Sequence, residues 1–269
     1  MLQKKDMKSR GFTLIEMAIV LVIIGLILGA VSIGKDLQRT AEFDTIKQKF
    51  VDQWAQAYNQ YYTRTGVVLG DSQVAPLYMV DGLKATLNAP QAARIPANLT
   101  NTGKRICAGQ GYAANKVGAG DPALSTQNLF TLIDRQGIRM PPGRAEGAED
   151  RYSYLDSNGN PVELQICFQW NVDGSNSGSG NMMVIRGLTP DLARALDQMI
   201  DGKPDAREGM FRQQDVSLNT TGTSQVPGAE WAANNTYAQN GTAPTAQGVG
   251  NNQDENRVVL LTAHYKMNQ

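Results

Sequence analysis

The sequence predicts an α+β protein in which one very long N-terminal helix packs, along its second half, against an antiparallel β-sheet. Neither proline nor glycine interrupts residues 35–64, where large apolar residues recur at helical spacing. Beyond residue 150 the chain breaks into short strand-like segments separated by Gly- and Asn-rich turns. Two short helical segments with their own start and stop signals lie among them.

The first element is apolar. Residues 17–31 are fifteen consecutive apolar residues, counting Gly and Ala, within a wider run at 12–34. A helix of that wider length spans about 34 Å, against about 30 Å for a bilayer's hydrocarbon core. Lys4, Lys5, Lys8 and Arg10 against Asp6 give the leader a net charge of +3, which places that end in the cytoplasm and exports the rest. Three readings of "SRGFTLIEMAIVLVIIGLILGAVSIG" compete. One is a secretory signal peptide with a cleavage site near Ala30 and Ser32. Another is a plain signal anchor. The third is a leader that ends at Gly11. Glu16 separates them, because a carboxylate near the centre of a membrane helix costs about 2.5–3.5 kcal/mol, and less near its end. The plain account of Glu16 is an interfacial residue in the first helical turn, where the helix dipole favours an anion.

The second element continues the helix. Phe43, Ile46, Phe50, Trp54, Tyr58 and Tyr61 form an apolar stripe, with Lys47, Lys49 and Asp52 on the polar face. An aromatic stripe at this spacing is read as core. Gly66 is the expected C-terminal cap.

Residues 67–124 read as a long, mostly irregular connection with a short element around Cys107. "STQNLFTLIDRQG" predicts a short helix capped at Ser125 and ended by Gly137. "RYSYLDSNGNPVELQICFQW" predicts a hairpin turning at "SNGN". "NVDGSNSGSG" predicts a flexible loop and "NMMVIRG" a third strand. "TPDLARALDQMIDG" predicts a helix with Thr189 as N-cap, Pro190 first and Gly202 after its end. "RVVLLTAHY" predicts one last strand. The Asn-, Gly- and Thr-rich stretch 213–256 reads as a surface excursion whose only large groups, Trp231 and Tyr237, either dock it on the core, the favoured reading, or contact a partner.

Charge and side-chain inventory exclude several functions. The formal net charge is zero and falls to −3 without the leader, so nothing supports a nucleic-acid groove. His264 is the single histidine and Cys107 and Cys167 the only cysteines, too few for a zinc site of Cys and His ligands. A nucleophile would depend on His264 alone, without an elbow or oxyanion loop nearby, and the chain is read as not an enzyme. In an exported domain Cys107 and Cys167 read as a disulfide closing a 61-residue loop, worth roughly 4 kcal/mol; two buried thiols are the alternative. Asp197, Asp201 and Asp205 raise calcium as a cofactor. A solvated helix face paired with Arg194 and Arg207 is the preferred reading there, with no cofactor.

"RGFTLIEMAIVLVIIGLI" resembles the N-terminus of type IV prepilins and of type II secretion pseudopilins. The resemblance implies cleavage after Gly11 by a prepilin peptidase and N-methylation of the new N-terminal residue, Phe12. It also implies pairing of Glu16 with the terminal amine of a neighbouring subunit during assembly. The chain would divide into a leader (1–11), a transmembrane assembly helix (12–34), its amphipathic continuation (35–65) and an exported α+β domain (66–269) with a flexible loop at 213–256. The implied partners are other pilin subunits, the peptidase and an inner-membrane assembly platform. The implied location is a single pass through the inner membrane, N-terminus inside, followed by a periplasmic or surface filament. A mature length of 258 residues exceeds a typical major pilin, which favours a minor or large subunit. A type II secretion pseudopilin is the near alternative, although the pseudopilin thought to cap the tip usually lacks the glutamate. A membrane-tethered adhesin is the alternative from another class. The best-known pilins place their disulfide near the C-terminus; here the cysteines lie mid-chain, so their receptor-binding loop does not carry over.

Overall fold

The computed structural model describes residues 13–82, 104–107, 129–171, 177–214, 216, 231, 236–238 and 253–268. The chain falls into two compact units, Met1–Asp44 and Thr45–Gln269. The first consists, among the described residues, of most of helix α1 (Leu14–Ile46). Its large apolar side chains from Leu14 to Leu37 are 45–92% exposed. Among the described residues it contains the one stretch long and apolar enough to cross a membrane. Near the end of this unit the Arg39 guanidinium lies 5.6 Å over the Phe43 ring.

The second unit begins with a feature the sequence reading does not anticipate. A single π-helical turn, Lys47–Val51, separates α1 from α2 (Asp52–Thr65). Ile46 and Tyr58 are twelve residues apart, which in a regular α-helix sets them about 120° apart around the axis. A π turn absorbs one residue and cuts that offset to about 20°. Ile46, Phe50, Trp54 and Tyr58 are accordingly all buried. The same turn brings Lys47 Nζ within 2.9 Å of Asp52, five residues on. Helix α2 ends where Gly66, at φ +74°, donates its amide to the Tyr62 carbonyl.

The stripe packs on a six-stranded antiparallel sheet. Its strands are β1 (Lys104–Cys107), β2 (Arg151–Leu155), β3 (Pro161–Asn171), β4 (Gly180–Leu188), β5 (Phe211–Gln213) and β8 (Leu261–Lys266). The eleven-residue β3 organises it. Its first half pairs with β2, its second half pairs with β1, and β4 lies along the other edge, followed by β8 and β5. Tyr58 stacks on Phe168 of β3 at 5.1 Å between centroids, and Trp54 meets the same ring at 6.2 Å. The Trp54 indole N–H donates to the Glu149 carbonyl at 3.2 Å.

The β2–β3 hairpin turns at 156–160, where the Asp156 carboxylate accepts the amides of Asn158 and Asn160, both at 2.8 Å. A bulge interrupts the β4–β8 ladder between Arg186 and Leu188. Gly187 occupies it at φ +86°, and a Cβ there would lie 2.1 Å from the Glu163 carbonyl oxygen, so only glycine fits. Helix α3 (Leu129–Arg135) ends before Gly137; its expected cap, Ser125, lies outside the described residues. Helix α4 (Pro190–Asp201) has Pro190 first and Gly202 at φ +77° after its end, but no side-chain cap bond from Thr189.

The expected last strand is two strands in two sheets. β7 (Gln253–Val258) pairs with β6 (Thr236–Ala238), and β8 joins the main sheet. The apolar run "VVLL" has no alternation to mark the break, which falls where Val259 is buried and Leu260 is 44% exposed. The short edge strand β5 lies where the sequence reading starts its excursion.

The acidic residues of α4 also differ from expectation. Asp197 and Asp205 are buried rather than solvated. Asp197 Oδ2 accepts the Trp231 indole N–H and the Asp205 amide, both at 2.6 Å. Asp201 accepts the amides of Met210 and Phe211 at 2.8–3.0 Å. Asp205 Oδ1 accepts those of Arg207 and Glu208. Arg194 donates to the Trp231 carbonyl at 3.3 Å. Calcium needs six to eight oxygens free to turn inward. Asp197 Oδ2, both Asp201 oxygens and Asp205 Oδ1 hold N–H donors, and among the described residues no group of three acidic, His or Cys side chains is placed to hold a metal. Trp231 is fully buried, 5.4 Å from the Phe211 ring, so it does dock the excursion.

Burial, together with the Asp201 charge one turn on, pushes the Asp197 carboxyl up to about 7 against the hydrogen bonds that lower it. The unfolded chain releases this proton near pH 4, the folded chain only near pH 7. The contribution of Asp197 to stability therefore falls as pH rises from about 4 to about 7 and is level above that. Asp197→Asn keeps the acceptor and removes the charge. Unfolding midpoints followed by tryptophan emission should show a smaller loss between about pH 5 and about pH 8 in this variant than in the parent. An identical loss in both would mean that the buried proton is not on Asp197.

Candidate assembly site

The residues that carry the sequence motif lie at the start of α1. The Glu16 carboxylate folds back on the helix end. Its Oε2 accepts the Thr13 amide at 2.8 Å and the Thr13 hydroxyl at 2.9 Å. The Glu16 amide in turn donates to Thr13 Oγ1 at 3.3 Å. This is a reciprocal capping box, Thr13 as N-cap and Glu16 at the third helical position. Glu16 thus stands in the first turn of α1, where the helix dipole favours an anion. Thr13 is the residue that sequence reasoning missed, although the spacing in "TLIE" is the capping-box signature. Oε2 takes both bonds, and among the described residues Glu16 Oε1 accepts none. Gly11 and Phe12 lie outside the described residues.

Fifteen large apolar side chains between Leu14 and Leu37 stand in the open. At about 25 cal/mol per Å² such a surface cannot face water over its whole length, and it requires lipid or other apolar helices around it.

The other candidate residues sit in the second unit. The β1–β3 register sets Cys107 directly opposite Cys167. His264 lies in β8, buried between Val184 of β4 and Arg212 of β5. The Asn171 side-chain amide meets its Nδ1 at 2.9 Å and also donates to the Gly178 carbonyl. Burial pulls the imidazole down to about 4, so it is neutral at ordinary pH and serves as an acceptor in the sheet. A general base needs access to a substrate proton, and this ring is enclosed.

Residues 6–32 match the family model described as the prokaryotic N-terminal methylation motif. No curated protein and no solved structure matches the chain. The matched span covers the basic leader's end, Gly11, the Thr13–Glu16 cap and most of the uncovered apolar helix. This is the class III signal-peptide motif of type IV pilins and pseudopilins, and it supports a precursor of that type.

Proposed function

We propose that the chain is a structural subunit of a type IV pilus-like envelope filament, a minor or large pilin assembled through its N-terminal helix. The observation that carries this reading is the coincidence of the methylation motif with a helix whose large apolar side chains from Leu14 to Leu37 stand exposed. A removable signal peptide would need no such helix continuing into a folded unit. The N-terminus stays cytoplasmic and residues beyond the span are exported. A prepilin peptidase removes residues 1–11, Phe12 becomes the methylated N-terminus, and the helix waits in the inner membrane for the assembly platform.

Glu16 then acts between copies. Thr13 holds its Oε2, which leaves Oε1 to receive the Phe12 ammonium of an adjacent subunit. A lone charge in an apolar layer is costly, whereas a paired, hydrogen-bonded one is far less so. The pairing sets the register of neighbouring helices. The family is generally structural, in line with an enclosed His264 that offers no base.

Intact mass of the mature protein should show loss of the eleven leader residues and gain of one methyl group. Processing near Ser32 instead would overturn the reading. A second expectation concerns charge at Glu16. Gln also completes a capping box, so Glu16→Gln keeps the cap and removes only the charge, while Glu16→Val removes both. Both variants should insert and be cleaved. Leaving the ammonium unpaired costs more than the 1–3 kcal/mol of a neutral group, so the ratio of sheared filament-bound to membrane-bound protein should drop at least about tenfold in each. An unchanged ratio in the Gln variant would leave Glu16 as a cap and nothing more.

The cysteines are proposed to bond to each other. Directly opposed residues of an antiparallel pair have Cα atoms about 4.5–5.5 Å apart, within the span a disulfide requires. Non-reducing peptide mapping of exported protein should recover one peptide joining Cys107 to Cys167. Two separately alkylated thiols would refute it.

A further inference from the structure

The loop after α2 holds an exposed tyrosine in a conformation that tyrosine resists. Tyr78 has φ +57°, in the left-handed region where a bulky side chain is an outlier. The backbone is pinned there from both sides. The Asp71 carboxylate accepts the amides of Ser72, Leu77 and Tyr78 at 2.7–3.2 Å. The Asn181 side chain donates to the Tyr78 carbonyl at 3.1 Å and accepts the Val80 amide at 2.9 Å. Met79 and Val80 are buried beneath, while Tyr78 is 54% exposed and Val74 96% exposed. Glycine would fit this backbone without strain. Among the described residues the Tyr78 ring makes no aromatic pair and its hydroxyl no hydrogen bond, so the fold makes little use of the side chain. A strained backbone that presents an unused aromatic ring outward points to a contact made with another molecule.

The same unit offers a matching hollow. A groove of about 440 Å³ runs between the π turn with α2 and the segment after α3, lined by Ala57, Met140, Pro141 and Pro142 and by the polar side chains of Lys49, Gln53, Gln56, Gln60 and Arg139. No carboxylate lines it. Proline rings and a guanidinium suit the face of an aromatic ring, and the amide and guanidinium N–H groups suit a phenol oxygen. Tyr78 is exposed, so the knob of a given chain does not fill the groove of that chain. We propose that the Val74–Tyr78 knob of one copy seats in the Pro141–Pro142 groove of the next. Knob and groove are different surfaces, so the contact is heterologous; it propagates along a series of copies rather than closing a symmetric dimer. It rests on the assembly reading above and adds to it a contact between the exported units.

The full-length chain tests it. A photoreactive benzophenone amino acid replaces Tyr78 in cells that make a mixture of light and heavy-isotope copies, and cross-links are mapped in both the membrane and the sheared fractions. The expected product joins position 78 of one isotopic form to 139–142 or to α2 of the other. Cross-links confined to one chain, to position 78 of a second copy, or to a different protein would overturn the proposal, and so would none at all. In parallel, Tyr78→Gly should melt at the same temperature as the parent or higher, yet lower the filament-bound fraction about tenfold, as loss of an anchoring aromatic does. A glycine variant that assembles like the parent would also overturn it. If the parent itself never enters sheared filaments, the filament reading fails. The membrane-fraction cross-link then still decides the contact.

Discussion

The second unit depends on the packing of one helical stripe on one strand. Phe168 sits in the half of β3 that pairs with both β1 and β4, and it receives Trp54 and Tyr58 from α2. Each fully buried aromatic contributes about 1.5–3 kcal/mol, and a ring pair about 0.5–1.5 more. Phe50, Trp54, Tyr58 and Phe168 together therefore match the whole net stability of a typical domain, about 5–15 kcal/mol. The π turn matters for that reason. It breaks helical regularity at a small cost in hydrogen-bond geometry and turns the residues on both sides of it towards one face.

Most of that arrangement was legible in the chain. The stripe from Ile46 to Tyr61 announced its burial by spacing, Gly66 and Gly202 announced helix ends, and the alternation around "SNGN" announced the hairpin. The π turn was not legible, because spacing of four is compatible with a regular helix until several steps accumulate. β5 was not, because three residues carry no period. The division between β7 and β8 was hidden in a run without alternation. The N-terminal site was legible in its charge and its apolar run. Its internal partner is hidden inside the motif, where only the spacing of a hydroxyl three residues before a carboxylate marks Thr13 as a cap.

The acidic residues show the opposite error, in which a chemical pattern suggests more than the structure uses. Asp197, Asp201 and Asp205 have spacing that invites a cation, Asp156 stands in a Gly- and Asn-rich turn, and Asp71 stands in the loop after α2. All five instead accept backbone N–H groups, and Asp197 an indole as well. A carboxylate that accepts two or three amides fixes an irregular loop as a ladder fixes a strand, and charge-assisted bonds are about twice as strong as neutral ones. A unit with long connections and only short helices beyond α2 needs such anchors. Sequence alone does not reveal whether a carboxylate faces a metal or the loop's own backbone.

The first unit meets a different constraint. Its apolar residues are satisfied equally by lipid tails or by neighbouring helices, since a bilayer is as apolar as a leucine surface and gives no hydrophobic drive to leave it. Apolar burial can therefore hold the helix in a membrane, but it does not select a neighbour or a register. Selection needs a group for which lipid and protein differ. Within the described span from Leu14 to Ser32, Glu16 is the only ionisable side chain. The cap supplied by Thr13 gives its carboxylate a fixed direction before any neighbour arrives. A pre-oriented acceptor loses little freedom on pairing, so more of the pair's energy is available to distinguish one register from another. On the assembly reading proposed above, the exposed apolar helix accounts for residence in the membrane, and the single carboxylate near its start accounts for leaving it in an ordered way.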